Sequence, residues 1–118
     1  MKKLVFTLFA TFLFIGLTAQ MDREKVLVEI GTGGWCFYCP GSAMGADDLH
    51  ENGDPVAIIE YHNGDPYATG ESNARNTYYS ISGYPTAWFD GSYNEVVGGS
   101  NTTSMYPNYL PIVNSRMG

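Results

Sequence analysis

Residues 26–40 read Val-Leu-Val-Glu-Ile-Gly-Thr-Gly-Gly-Trp-Cys-Phe-Tyr-Cys-Pro, and the fold turns on them. Val26 to Ile30 make a short, β-branched apolar run, the pattern of a strand in a sheet covered on both faces. Gly31 to Gly34 are expected to break it. A helix is expected after the second cysteine, running to about Glu51. Pro40 fits its first turn, where the backbone amides have no helical partner. Gly41 and Gly45 lower the helix propensity, while Ala43 would allow close packing on a sheet.

Both cysteines of the chain, Cys36 and Cys39, fall in this one motif. A bridge between them closes so short a loop that it restricts the unfolded chain very little. Stapling is therefore a poor reason for the pair, and dithiol chemistry is a better one. The thiolate is the reactive form, and the positive end of a helix dipole with its unpaired amides favours it at Cys36. In such motifs the pKa falls from about 8.5 to roughly 3.5–7.5. Cys39, one turn further on, is placed to attack a mixed disulfide formed at Cys36.

Working downstream, Asn52-Gly53-Asp54-Pro55 is a turn and Val56 to His62 is the strongest strand in the chain. Asn63-Gly64-Asp65-Pro66 ends it. One or two short helices are expected within 67–80, with Ala74, Tyr78 and Ile81 on one face. Gly83-Tyr84-Pro85-Thr86 leads into a strand at 87–90, in which Trp88 and Phe89 read as core. A hairpin turn at 91–94 leads to another strand at 95–98. Tyr106, Tyr109, Leu110, Val113 and Met117 then form a helical stripe, with Pro107 and Pro111 delaying its start or kinking it. The order predicts a mixed α/β sheet of four strands, parallel in its βαβ half and antiparallel in its hairpin half, with helices on both faces.

Upstream, Lys2 and Lys3 precede a nearly unbroken apolar run from Leu4 to Leu17, followed by Thr18-Ala19. That is the order of a secretory signal peptide, cut before Gln20. The run is shorter than the roughly 20 residues of a membrane span; an uncleaved anchor is the competing reading. The expected organisation is a signal peptide at 1–19 and one domain at 20–118, with the end at Gly118 leaving open that a longer protein continues. Without Lys2 and Lys3, four cations (Arg23, Lys25, Arg75, Arg116) stand against twelve acids. A balance this acidic argues against nucleic acid and against an anionic membrane surface as partners.

The stretch from Val26 to Cys39 resembles the active-site region of the thioredoxin superfamily, and Gly83-Tyr84-Pro85-Thr86 resembles that family's cis-proline loop. The wider pattern, with Thr32-Gly33-Gly34-Trp35-Cys36 and His62-Asn63-Gly64-Asp65-Pro66, is similar to a thioredoxin-like branch of secreted or outer-membrane-associated bacterial proteins. The resemblance implies a thioredoxin-like fold and a thiol–disulfide oxidoreductase of the periplasm or outer membrane. It implies that Cys36 attacks and Cys39 resolves, and that Trp35, Tyr84 and Pro85 form the substrate-binding surface. It further implies that the Tyr84–Pro85 bond is cis, and that Phe37 and Tyr38 tune the redox potential. The partners implied are protein thiols or disulfides and an upstream redox protein, with no cofactor and no metal.

Two departures stand against the family pattern, the Phe37-Tyr38 pair between the cysteines and the residue at position 30. Ile30 occupies the position where many thioredoxins carry a buried acid. Glu29, one residue earlier, is the substitute candidate for redox tuning, although strand alternation points it to the other face; a paired strand carboxylate is its alternative role. The rival function is a non-catalytic thioredoxin-fold binding module with a structural or idle disulfide. A third reading has Cys36, Cys39 and a histidine holding a metal, but Cys-x2-Cys-x10-His-x11-His matches no standard zinc spacing. His50 and His62 otherwise read as histidines at element ends.

Overall fold

The computed structural model describes residues 21–118. The expected signal peptide, with its cut before Gln20, lies outside the described residues. Seven elements follow in order: β1 (Val26–Thr32), α1 (Cys39–Glu51), β2 (Val56–His62), α2 (Gly70–Tyr78), β3 (Thr86–Phe89), β4 (Asn94–Val97) and α3 (Tyr106–Met117). The strands form one sheet in the order β2-β1-β3-β4. β1 and β2 are parallel, with Val26 opposite Val56 and Thr32 opposite His62. β3 runs antiparallel to both β1 and β4.

β1 runs two residues past its expected end at Ile30, through Gly31 to Thr32. Gly31 is needed inside the strand because a Cβ there would collide with the Ile81 side chain and crowd Asn76. The alternation of β1 then divides the molecule into two layers. Val26, Val28 and Ile30 are fully buried on one face with Ala87 and Phe89, under Ala46 and Leu49 of α1 and Tyr109 and Val113 of α3. Burying each such aliphatic side chain stabilises the fold by about 1.5–3 kcal/mol. Gly45 lets α1 and α3 meet, since a Cβ there would lie 3.0 Å from the backbone of Met105 and Tyr106. The hydroxyls of Ser42 and Tyr109 share a buried 2.7 Å hydrogen bond across the same contact.

The opposite face of the sheet is covered by α2. Its start is fixed by a capping box: Thr69 Oγ1 accepts from the Ser72 amide, and Ser72 Oγ accepts from the Thr69 amide. The buried residues of α2 are Ser72 and Asn76, not the expected Ala74 and Tyr78, which are exposed. The reason is polar. Ser72 Oγ donates to His62 O (2.7 Å) and Asn76 Nδ2 to Tyr61 O (3.4 Å), both at the end of β2. An apolar-stripe reading cannot see a helix docked through its polar side. Trp88 and Phe89 are core, 4% and 0% exposed. α3 begins at Tyr106, with Pro107 in its first turn and Pro111 carried inside.

Candidate active site

The dithiol follows the C-terminal end of β1. Cys36 and Cys39 are joined in a disulfide, their Cα atoms 5.4 Å apart. The Gly33–Cys36 turn closes with the Cys36 amide donating to Gly33 O (2.9 Å). Gly33 has no substitute there, because a Cβ would lie 2.8 Å from the Trp35 indole folded back over it. Cys36 and Cys39 are buried, 8% and 6% exposed, under a rim of open aromatics. Trp35 is 56% exposed, Phe37 66% and Tyr38 54%.

α1 starts at Cys39, with Tyr38 as its N-cap and Pro40 in the first turn. Fewer of its amides are free than the sequence suggests. The Cys39 amide donates to Cys36 O (3.3 Å), Pro40 has none, and the Gly41 amide donates to Ser100 O (2.6 Å). The helix dipole still points its positive end at Cys36. Gly41 is required for this arrangement: a Cβ would meet Thr103 O at 2.5 Å and Ser100 O at 2.6 Å.

The Tyr84–Pro85 peptide is cis. The segment after β4 ties this loop to the dithiol helix. The Gly98 amide donates to Pro85 O (2.8 Å), and Gly99 is wedged so tightly between Tyr38 O and the Pro85 ring that no Cβ fits. Pro85 itself is fully buried. Tyr84 is half-buried, and Trp35 packs on its ring edge-on, with centroids 5.3 Å apart. Burial raises the Tyr84 hydroxyl pKa, so the phenol stays neutral. The fold thus brings together Trp35, Cys36, Phe37, Tyr38, Cys39, Tyr84 and Pro85.

Glu29 stands apart from this group. It is 1% exposed, on the α2 face of the sheet, whereas the helix that carries Cys39 covers the other face. Strand alternation is the reason. Arg75 Nε donates to its Oε1 (2.7 Å) and Arg75 Nη2 to its Oε2 (3.1 Å); the hydroxyls of Tyr61 and Tyr79 donate as well. Burial pushes the Glu29 pKa up, but the Arg75, Tyr79 and Tyr61 hydrogen bonds outweigh it and hold the group below its ordinary value. Burial and Glu29 push Tyr79 in turn up to about 12. Ile30 is the residue that faces α1, with no exposure.

One group beside the site was not singled out from sequence. Asp65 accepts at Oδ2 from the Gly34 amide (2.6 Å), pairs there with His62 Nδ1 (2.6 Å), and accepts at Oδ1 from the Tyr67 amide (2.9 Å). The His62 hydrogen bond, with the two amides, brings its pKa down to about 2 against the opposing effect of burial. Trp35 Nε1 donates to Asn63 O (2.7 Å) in the same loop. The 62–67 loop therefore clasps the turn that presents Cys36. In the sequence Asp65 shows only as part of the His62–Pro66 stretch and in the Asp65-x-Tyr67 spacing of a side chain bonding its own backbone two residues on. His50 lies in the last turn of α1, whereas Cys39 opens it; twelve residues of helix span about 16 Å. Among the described residues no three His, Cys, Asp or Glu side chains converge as metal ligands.

No protein-family model matches the sequence, and no curated protein matches it either. Solved structures do match the fold. A thioredoxin from Malassezia sympodialis is 15% identical, with a TM-score of 0.57, over 82% of this chain and 79% of that one. A malaria-parasite thioredoxin-2, described as a component of protein secretion machinery, is 11% identical, with a TM-score of 0.55, over 84% and 90%. Among the described residues no helix is long and apolar enough to cross a membrane. With its βαβ half, its antiparallel hairpin and a Cys-x-x-Cys disulfide at the head of the first helix, the chain has the thioredoxin fold.

Proposed function

We propose that this protein is a thiol–disulfide oxidoreductase that exchanges disulfides with protein substrates outside the cytoplasm. The observation that carries the reading is the Cys36–Cys39 bridge at the head of α1, under an exposed aromatic rim and beside the Tyr84–Pro85 loop. In the reducing direction, the Cys36 thiolate attacks one sulfur of a substrate disulfide. A mixed disulfide forms and the other substrate sulfur leaves as a thiolate. Cys39, deprotonated, then attacks Cys36 Sγ, closing the internal bridge and releasing the second substrate thiol. Two electrons pass from the dithiol to the substrate, and the oxidising direction is the same sequence reversed. A redox partner restores the starting state.

Trp35, Tyr84 and the Pro85 loop supply the surface on which an extended substrate segment lies, and Phe37 and Tyr38 set the potential from between the cysteines. Glu29 serves stability through Arg75. The extracytoplasmic setting rests on the Lys2-Lys3 start and the apolar run after it. Cys36→Ser tests the mechanism directly: it should abolish exchange with a protein disulfide, and surviving activity would refute the assignment.

The buried Ile30 favours one second reading, since no acid stands at that position to take the Cys39 proton. In that reading the domain is a binding module and the bridge stays closed. Resistance of the bridge to strongly reducing buffer would select it.

A further inference from the structure

A second concave surface lies away from the dithiol. A cleft of about 670 Å³ opens between the C-terminal end of α2 and the β3–β4 hairpin. Asp90, at that hairpin, bonds to Leu27 near the start of β1, whereas Cys36 follows the other end of the same strand. Trp88, 4% exposed, joins the lining, with Tyr79 stacked flat on it at 4.2 Å and 9°. Tyr78 and Tyr93 line the cleft with open rings, 68% and 55% exposed. Glu95 and Ser92 add a carboxylate and a hydroxyl to the lining.

The rings are preorganised in a particular way. Arg75 Cζ sits 4.8 Å from the Tyr78 ring centroid, and Arg116 Cζ sits 4.0 Å from that of Tyr93. Each guanidinium is anchored in turn, Arg75 by Glu29 and Arg116 by Asp90, both at 2.7 Å. Each tyrosine is thus steadied by a guanidinium, Tyr78 also by an edge-on contact with Tyr79 at 5.1 Å, and both rings keep more than half of their surface exposed.

This arrangement selects a ligand by charge. A cationic ligand would share rings whose π-density already serves a guanidinium. An anion would meet Glu95 and a chain of net charge −6. A purely apolar ligand would make no use of the exposed carboxylate and hydroxyl beside the rings. A neutral polyhydroxylated ring meets each feature: its C–H face lies on an aromatic ring, and its hydroxyls reach Glu95 and Ser92. We infer that the cleft is a binding site for a neutral oligosaccharide, independent of the dithiol.

The test is a titration of the purified protein with cellohexaose, maltohexaose and mannohexaose, followed by NMR at the two indoles and by calorimetry. Choline and a decaproline peptide serve as cationic and peptide probes. At least one hexasaccharide should shift the Trp88 indole and leave Trp35 in place. Tyr78→Ala and Tyr93→Ala, both at exposed rings, should each weaken that binding about tenfold or more. Disulfide exchange should be unchanged in both variants. The inference is overturned if none of the three sugars shifts Trp88 at about 10 mM, where a site with Kd of about 1 mM would be largely filled. It is also overturned if choline or decaproline binds in their place, if the sugar shifts Trp35 alone, or if neither alanine variant weakens binding.

Discussion

At the scale of single residues, the two cysteines are chemically unequal. Cys36 lies before the helix, in a turn held by Gly33 and by the Asp65 clasp on Gly34, and Cys39 opens the helix. Cys39→Ser should accumulate a covalent mixed disulfide with substrate, visible as a mass increase that dithiothreitol removes. Cys36→Ser should give none. Glu29 is the other residue whose role follows from its contacts. Glu29→Gln leaves Arg75 without its charged partner and weakens a four-group network. We expect a loss of about 1–3 kcal/mol, read as a lowered urea midpoint at neutral pH, with the exchange rate unchanged. A change in exchange rate with stability intact would instead give Glu29 a part in the redox chemistry.

The same residue shows what sequence could and could not tell. Alternation along Val26–Ile30 was enough to place Glu29 away from the dithiol helix. Its partners Arg75, Tyr79 and Tyr61 lie 46, 50 and 32 residues away, and only the folded chain brings them together. Asp65 was hidden for a similar reason. In Asn63-Gly64-Asp65-Pro66 it looks like any turn residue, because its function is to hold a turn 31 positions earlier.

At the scale of elements, the strands were the most legible part, since a short β-branched run between glycines and prolines leaves little choice. β2 matches its expected bounds at Val56 and His62. α2 was the least legible, because its docking groups are Ser72 and Asn76 and no apolar stripe marks them. Its capping box supplies a direct check. Thr69→Ala should cost about 1 kcal/mol, measured as a small fall in melting temperature without loss of exchange. Gly41 gives a stronger one. A methyl group there would press on two backbone carbonyls, so Gly41→Ala must displace the 100–103 segment or the start of α1. Overpacking of this kind typically costs about 1–3 kcal/mol. Because the next residues back, Gly98 and Gly99, hold the Pro85 loop, Gly41→Ala should also slow exchange.

At the scale of the whole molecule, the stability should depend on acid carboxylates held ionised by the fold. Glu29 lies below its ordinary 4.5, and Asp90 below its ordinary 3.8. For Asp90, burial pushes upward but Arg116, Arg23 and the Leu27 amide prevail. Asp65 lies at about 2. Groups with depressed folded-state values contribute fully above their unfolded values and lose that contribution as pH falls through the folded ones. The melting temperature should therefore hold steady above about pH 5 and fall progressively below about pH 4. Glu29→Gln should flatten part of that acid slope. A melting temperature that stays level down to pH 2 would show that these pairs do not couple to folding.

The proposed exchange rests on the sheet, the dithiol turn, the Pro85 loop and the aromatic rim together, so the most direct measurement is the equilibrium of the Cys36–Cys39 bridge with glutathione. Thiol alkylation and mass shift, read across a series of reduced-to-oxidised buffer ratios, give the midpoint. A reversible titration between about −270 and −120 mV, the span of active dithiol exchangers, is the expected result, and its midpoint assigns the direction of electron flow. A bridge that remains closed at every ratio would contradict the exchange mechanism and leave Cys36–Cys39 as a structural link.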